Sequence, residues 1–181
     1  MADDYRNQPS LPRGIRNNNP GNITIGDSWQ GMVGNDGTFL IFADMGWGIR
    51  ALGTSLINMI NQGYNTITTL ISQWSATDQA AYISNVSGYT GLDPNEVLGT
   101  DNDTIQSLIV AIAQQENGAA IATQYVTAAD IAAGMSLINS NLISTAAQSV
   151  AVQVANDPSS AVLVVAVVGA IIWLIASSRK R

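Results

Sequence analysis

Glu116, in the stretch "AQQENG", is the side chain whose type and position best suit proton transfer. The 181-residue chain has no histidine and no cysteine, which excludes Ser-His-Asp catalysis, thiolate nucleophiles and the usual zinc sites, and calls for no metal or cofactor. Carboxylates remain. Most of them, Asp27, Asp36, Asp93, Glu96, Asp101 and Asp103 among them, fall in loops or at helix caps. The acidic run "DPNEVLGTDND" lacks the alternating ligands and central glycine of a calcium loop, so it reads as solvated charge. Glu116 instead follows an apolar helical face, Ile105, Leu108, Ile109 and Ile112, just before a glycine stop. A half-buried carboxyl at a helix C-terminus suits a general acid. A second reading is as physical. If Arg13, Arg16 or Arg50 reaches Glu116, the pair is a structural brace with no catalysis.

The second chemistry-bearing stretch is "RGIRNNNPGNI", Arg13 to Ile23, with two arginines and four asparagines. Pro20-Gly21 suits the centre of a type II turn and accounts for Asn18 to Asn22 as a bend. Arg13, Arg16 and Asn17 are left over. Guanidinium and amide groups supply many donors in fixed directions, so the loop either binds something polar or braces a neighbouring segment.

Elements that must position these groups follow from periodicity. "NDG" between short apolar runs predicts a small hairpin, with Thr38 to Phe42 as a strand. From Trp47 the period becomes helical through Ile49, Leu52, Leu56, Met59 and Ile60. Asn65 is expected to cap a helix bearing Ile67, Leu70, Ile71 and Trp74. The next, from Ser75 or Thr77, turns Tyr82, Ile83 and Val86 inward and stops at Gly88. Asp103 or Thr104 caps the helix that carries Glu116. "TAAD", Thr127 to Asp130, resembles a capping box opening a helix with Ile131, Met135 and Ile138.

Charge and hydropathy set the organisation. Three of the seven cations close the chain as "RKR", leaving Arg6, Arg13, Arg16 and Arg50 against thirteen acids, so the part before it is a poor partner for nucleic acid and no sequence-specific binding is expected. Ser159 to Ser178 contains no charge, and twenty residues at about 1.5 Å each reach roughly 30 Å, a bilayer core. Asp157-Pro158 gives it a helix start. These features predict a flexible arm at 1–12, a globular helical domain at 13–139, a connector at 140–156, a transmembrane helix at 157–178 and a basic tail at 179–181. The expected class is mainly α, or α+β counting the hairpin, with one C-terminal transmembrane helix and the lipid bilayer as a partner. The N-terminus has no apolar run of a cleavable signal, so insertion would rely on the C-terminal segment.

"RGIRNNNPGNI", "WQG", "GWGIRAL" and "QQENG", in that order across Arg13 to Ile138, resemble the bacteriophage virion-associated proteins with the RGIRNNNPGN signature. The resemblance implies a phage structural protein, in many copies among other virion proteins and placed in a virion or host envelope membrane. One candidate acid, Glu116, in a helix-rich chain suggests a lysozyme-like or lytic transglycosylase-like fold. Carried onto this chain, it marks Arg13, Arg16, Asn17, Asn18, Asn19, Asn22, Trp29, Trp47, Arg50, Glu116 and Asn117. Two functions follow as expectations: a membrane-anchored virion protein organising capsid and membrane or serving entry, or a peptidoglycan-degrading enzyme using Glu116 as acid/base. In the second, the asparagine loop and Trp29 or Trp47 form the sugar-binding surface, and Asp27, Asp36 or Asp44 supplies any second carboxylate.

Overall fold

Apolar residues spaced for helices dominate the chain, and the computed structural model, which describes residues 1–76 and 78–156, is correspondingly helical with one small sheet. A single turn, α1 (Arg13–Arg16), is followed by the antiparallel pair β1 (Met32–Asn35) and β2 (Leu40–Phe42). Met32 stands opposite Phe42 and Asn35 opposite Leu40, with an irregularity between Met32 and Gly34. Then come α2 (Met45–Asn61), α3 (Ile67–Trp74), α4 (Gln79–Thr90), α5 (Asn102–Asn117), α6 (Ala119–Tyr125) and α7 (Ala128–Asn156).

Four of the helix starts, those of α2, α3, α5 and α7, have a chemical reason in a side-chain cap. The Asp44 carboxylate accepts from the Trp47 N–H at 3.1 Å, and Asp101 accepts from the Thr104 N–H at 3.0 Å. The cap of α3 is Thr66, one residue past the expected Asn65, in a capping box with Thr69. Thr127 and Asp130 exchange hydrogen bonds at the start of α7: the Thr127 N–H donates to the Asp130 carboxylate at 2.9 Å, and the Asp130 N–H donates to Thr127 Oγ1 at 3.2 Å. Helix α4 runs past Gly88 and stops at Gly91, whose φ of 74° provides the left-handed cap.

The chain divides into two units, residues 1–138 and 139–181. In the first, Ile49, Leu52 and Leu56 of α2, Leu70 and Ile71 of α3, and Leu108, Ile109 and Ile112 of α5 form one fully buried core. Leu40, Phe42 and Ala51 make a smaller one beneath the hairpin. The segment expected as a flexible arm contributes to the larger core: Tyr5 and Leu11 are buried, and the Tyr5 ring meets Tyr125 edge-on at 5.4 Å. The Asp3 N–H also donates to Asp130 at 2.7 Å. Isolated polar composition suggested a loose arm, but two apolar anchors and a buried acceptor hold it.

One expectation is corrected. Among the described residues no helix is long and apolar enough to cross a membrane. The longest, α7, has the length, but Asp130, Ser136, Asn139, Ser140, Ser144, Gln148 and Ser149 interrupt its apolar residues. Among the described residues the fold is therefore mainly helical with a two-stranded antiparallel sheet and no membrane-spanning helix, and these residues give the expected lipid contact and membrane placement no support. The segment 157–178 on which it was placed, and the tail 179–181, lie outside the described residues.

Docking of the N-terminal segment has a pH signature. Burial, then the Asp3 hydrogen bond and the charges of Asp3 and Asp130, push the Tyr5 hydroxyl up to about 12. A pKa raised on folding contributes stability that is complete below the unfolded value, about 10 for tyrosine, and lost as pH rises through the folded one. The melting temperature of the protein should therefore hold to about pH 10 and fall between pH 10 and 12. Tyr82, also raised, adds to any fall above pH 10, so circular dichroism melts of the protein are compared with those of Tyr5→Phe, and an equal fall in both would remove Tyr5 as an anchor.

Candidate functional site

The asparagine loop lies across α2 and the end of α5, and its amides are used inside the fold. Asn18 is fully buried with φ 51°: its Oδ1 accepts from the Tyr5 N–H at 2.9 Å, and its Nδ2 donates to Asp4 at 2.8 Å and to the Phe42 carbonyl at 3.1 Å. Asn19 Nδ2 donates to the carbonyls of Ile23 and Leu40, while its Oδ1 accepts from the Ile23 N–H. Asn17 Nδ2 donates to Asp36 at 2.7 Å. Asparagine is the economical residue here because one short side chain satisfies both a donor and an acceptor of a turning backbone.

Close approach explains the glycines of the two motifs. A Cβ on Gly48 would lie 1.8 Å from the Asn18 carbonyl oxygen, and one on Gly14 would lie 2.3 Å from Asn117 Oδ1 and 2.9 Å from Asn22 Oδ1. "RGIRNNNPGN" and "GWGIRAL" are thus two sides of one contact, with "ENG" the third. Asn117 Nδ2 donates to the Pro20 carbonyl at 2.8 Å and to Ala113 at 3.0 Å. The Oδ1 atoms of Asn22 and Asn117 are buried without a hydrogen-bond partner, each close to Gly14.

Among the described residues no arginine is bonded to Glu116. Arg13 forms a two-pronged pair with Asp36, Nε to Oδ2 at 2.6 Å and Nη2 to Oδ1 at 2.7 Å, and lies 4.6 Å from the Phe39 ring. Its guanidinium, with the Thr38 and Phe39 N–H groups and the Asn17 amide, holds the Asp36 carboxyl well below the usual carboxylate range. That pair is partly exposed. Arg16 donates to the Pro9 carbonyl at a long 3.4 Å. Arg50 is buried, 6.0 Å from the Trp47 ring, and burial pulls its pKa down. The brace between an arginine and Glu116 is replaced by one made of neutral groups.

Glu116 itself is half-buried at the end of α5. The Tyr82 hydroxyl donates to Oε1 at 2.7 Å, and Asn22 Nδ2 donates to Oε2 at 2.8 Å. Burial first, then the Glu116 charge and their hydrogen bond, push the Tyr82 pKa far up, with a hydrogen bond to Trp74 acting the other way, so Tyr82 stays a neutral donor. The carboxylate borders a cleft of about 410 Å³ lined by Asn22, Ile23, Phe39, Met59 and Trp74. Thr24, Gln73 and Ser75 also line it, so aromatic and apolar surface alternates with polar groups, the character of a saccharide site.

Trp29 and Trp47, expected on the sugar-binding surface, pack against the hairpin core, and neither borders this cleft. Asp44 caps α2 and Asp36 is tied to Arg13, so neither is free to serve beside Glu116, and Asp27 does not border the cleft. Tyr82 and Trp74 went unmarked as site residues. Their helical spacing gave them as inward-facing core positions, and nothing local distinguishes a core tyrosine from one whose hydroxyl meets a carboxylate 34 residues on.

No family model matches the chain. Protein P5 of Pseudoalteromonas phage PM2 is similar to it, 33% identical over 117 residues, which cover 59% of this chain and 71% of that protein.

Proposed function

The chain belongs to the family of protein P5 of Pseudoalteromonas phage PM2, and from that membership we propose that it is a structural protein of a bacteriophage virion, in contact with other virion proteins and present in many copies. The observation that supports a structural role for the signature loop is the destination of its amides: Asn17, Asn18 and Asn19 all bond within the fold. The loop is a brace that holds arm, hairpin and helices in one arrangement, as a repeated building part requires. Purified, salt-washed particles of the phage encoding the chain should contain it at a fixed ratio to the capsid protein by quantitative mass spectrometry. Its loss on washing would reject the assignment.

A second reading is favoured by the Glu116 cleft. A carboxyl held from two sides by neutral donors, beside a cleft that includes Phe39 and Trp74, supports a role in proton transfer to a glycosidic oxygen. We propose that this site cleaves the glycan of peptidoglycan during entry, with Glu116 as the acid and Asn22 and Tyr82 orienting it.

A further inference from the structure

Glu116 borders a second cleft, of about 220 Å³, on its Tyr82 side, shared with Ser75, Asp78 and Gln115. Asp78 stands one turn before Tyr82, whose backbone N–H donates to the Asp78 carbonyl at 3.1 Å. The two residues therefore lie on the same side of α4, the side whose tyrosine hydroxyl touches Glu116. Asp78 occupies the N-cap position of α4 but its side chain makes no capping hydrogen bond, unlike Asp44 and Asp101. Its backbone has φ 47° and ψ 42°, a left-handed conformation that is costly for a residue with a Cβ and that collects at functional sites. An aspartate kept in a strained position without the capping bond that would repay it has its carboxylate left for another task.

Resting on the second reading above, we propose that Asp78 is the second carboxylate of the Glu116 site and activates the attacking water, so that the reaction is hydrolysis. With Glu116 alone, the sugar's own hydroxyl would have to close on C1, giving an anhydro product. Glu116 and Asp78 both line the smaller cleft, and a second carboxylate beside the acid allows the alternative used by inverting glycosidases. Glu116 borders both clefts, so a glycan crossing from one to the other places a linkage against it. Glu116 gives its proton to the glycosidic oxygen as the C1–O bond breaks. Asp78 takes a proton from water as the water oxygen bonds to C1. The leaving sugar departs as an alcohol, the new end is a hemiacetal, and proton exchange with solvent resets both carboxyls.

The test uses the full chain, its Glu116→Gln variant and its Asp78→Asn variant on purified peptidoglycan in ¹⁸O water, with melting temperatures to check folding. The expected result is soluble fragments with ¹⁸O-labelled reducing ends, and release slowed about 100-fold or more in both variants. Labelled ends released at an undiminished rate by Asp78→Asn would overturn the role of Asp78. So would unlabelled anhydro ends from the unaltered chain, with Glu116→Gln inactive, and the Glu116 reading would then survive alone. No release by the unaltered, folded chain would overturn that reading and the Asp78 assignment with it. The ¹⁸O result on the unaltered chain decides even where a variant fails to fold.

Discussion

Gly48→Ala should destabilise the protein by about 3 kcal/mol or more, although it adds one methyl group in the middle of a helix that would otherwise favour alanine. The added carbon would sit 1.8 Å from the Asn18 carbonyl oxygen and 3.0 Å from Pro20 Cδ. Backbone cannot swing aside as a long side chain can, and Asn18 is held by its own three hydrogen bonds. Either α2 moves off the loop, opening the core at Leu52 and Ile49, or the loop gives up its contacts with the strand. Gly88→Ala is the matched control. It is helical and exposed with open space around its Cα, and the same change there should stabilise by about 1 kcal/mol. Urea unfolding of both variants reads the contrast directly, and equal effects would show that the loop does not depend on close approach to α2.

The second large effect is expected at Asn18. Asn18→Ala leaves the buried Tyr5 N–H and Phe42 carbonyl without that partner, at about 1 to 3 kcal/mol for an unsatisfied buried group, and puts alanine at a φ of 51°. The sum should reach about 3 to 5 kcal/mol. Asn18→Gly removes the amide but tolerates the backbone, so it should recover about 1 kcal/mol of that loss. A cost under about 0.5 kcal/mol for Asn18→Ala, the level of an ordinary surface change, would mean that the amide is a bystander. The arginines of the same motif carry less: the Arg13–Asp36 pair is partly exposed and shares Asp36 with backbone donors that remain when Arg13 is gone.

Much of the fold can be read along the chain, because helix faces and caps are local. Ile49, Leu52 and Leu56 of α2 and Ile105, Leu108 and Ile109 of α5 are buried where period 3.6 places them, and Thr127 and Asp130 cap α7 as their spacing suggests. Of the candidate site, Glu116 and Asn22 were legible as residues, but not as a pair. The partners of Glu116, Asn22 and Tyr82, are 94 and 34 residues away, and the charge of an arginine made it the more obvious partner than a neutral amide or a tyrosine. Arg13 goes to Asp36 because α1 and the hairpin turn meet, a fact that depends on the loop fold and not on either residue's neighbours. Asp78 carries no signal in the sequence at all, since its interest lies in a backbone angle and a shared cleft. The expected membrane helix finds no support among the described helices, none of which is long and apolar enough to cross a bilayer.

The hydrogen bond from the Asp3 N–H to Asp130 joins positions 127 residues apart, and that span has a consequence for synthesis. At about 5 to 20 residues per second, a ribosome needs roughly 6 to 25 seconds between making the one and the other. Throughout that interval Tyr5 and Asp3 have no Tyr125 or Asp130 to meet, and Asn22 has no Glu116. The nascent chain can form its hairpin and α2 against the loop, but the N-terminal segment must wait for α6 and α7 before its place exists. Closure of the fold is therefore coupled to synthesis of α6 and the first turn of α7, so a fragment ending before Asp130 lacks the acceptor that holds its beginning.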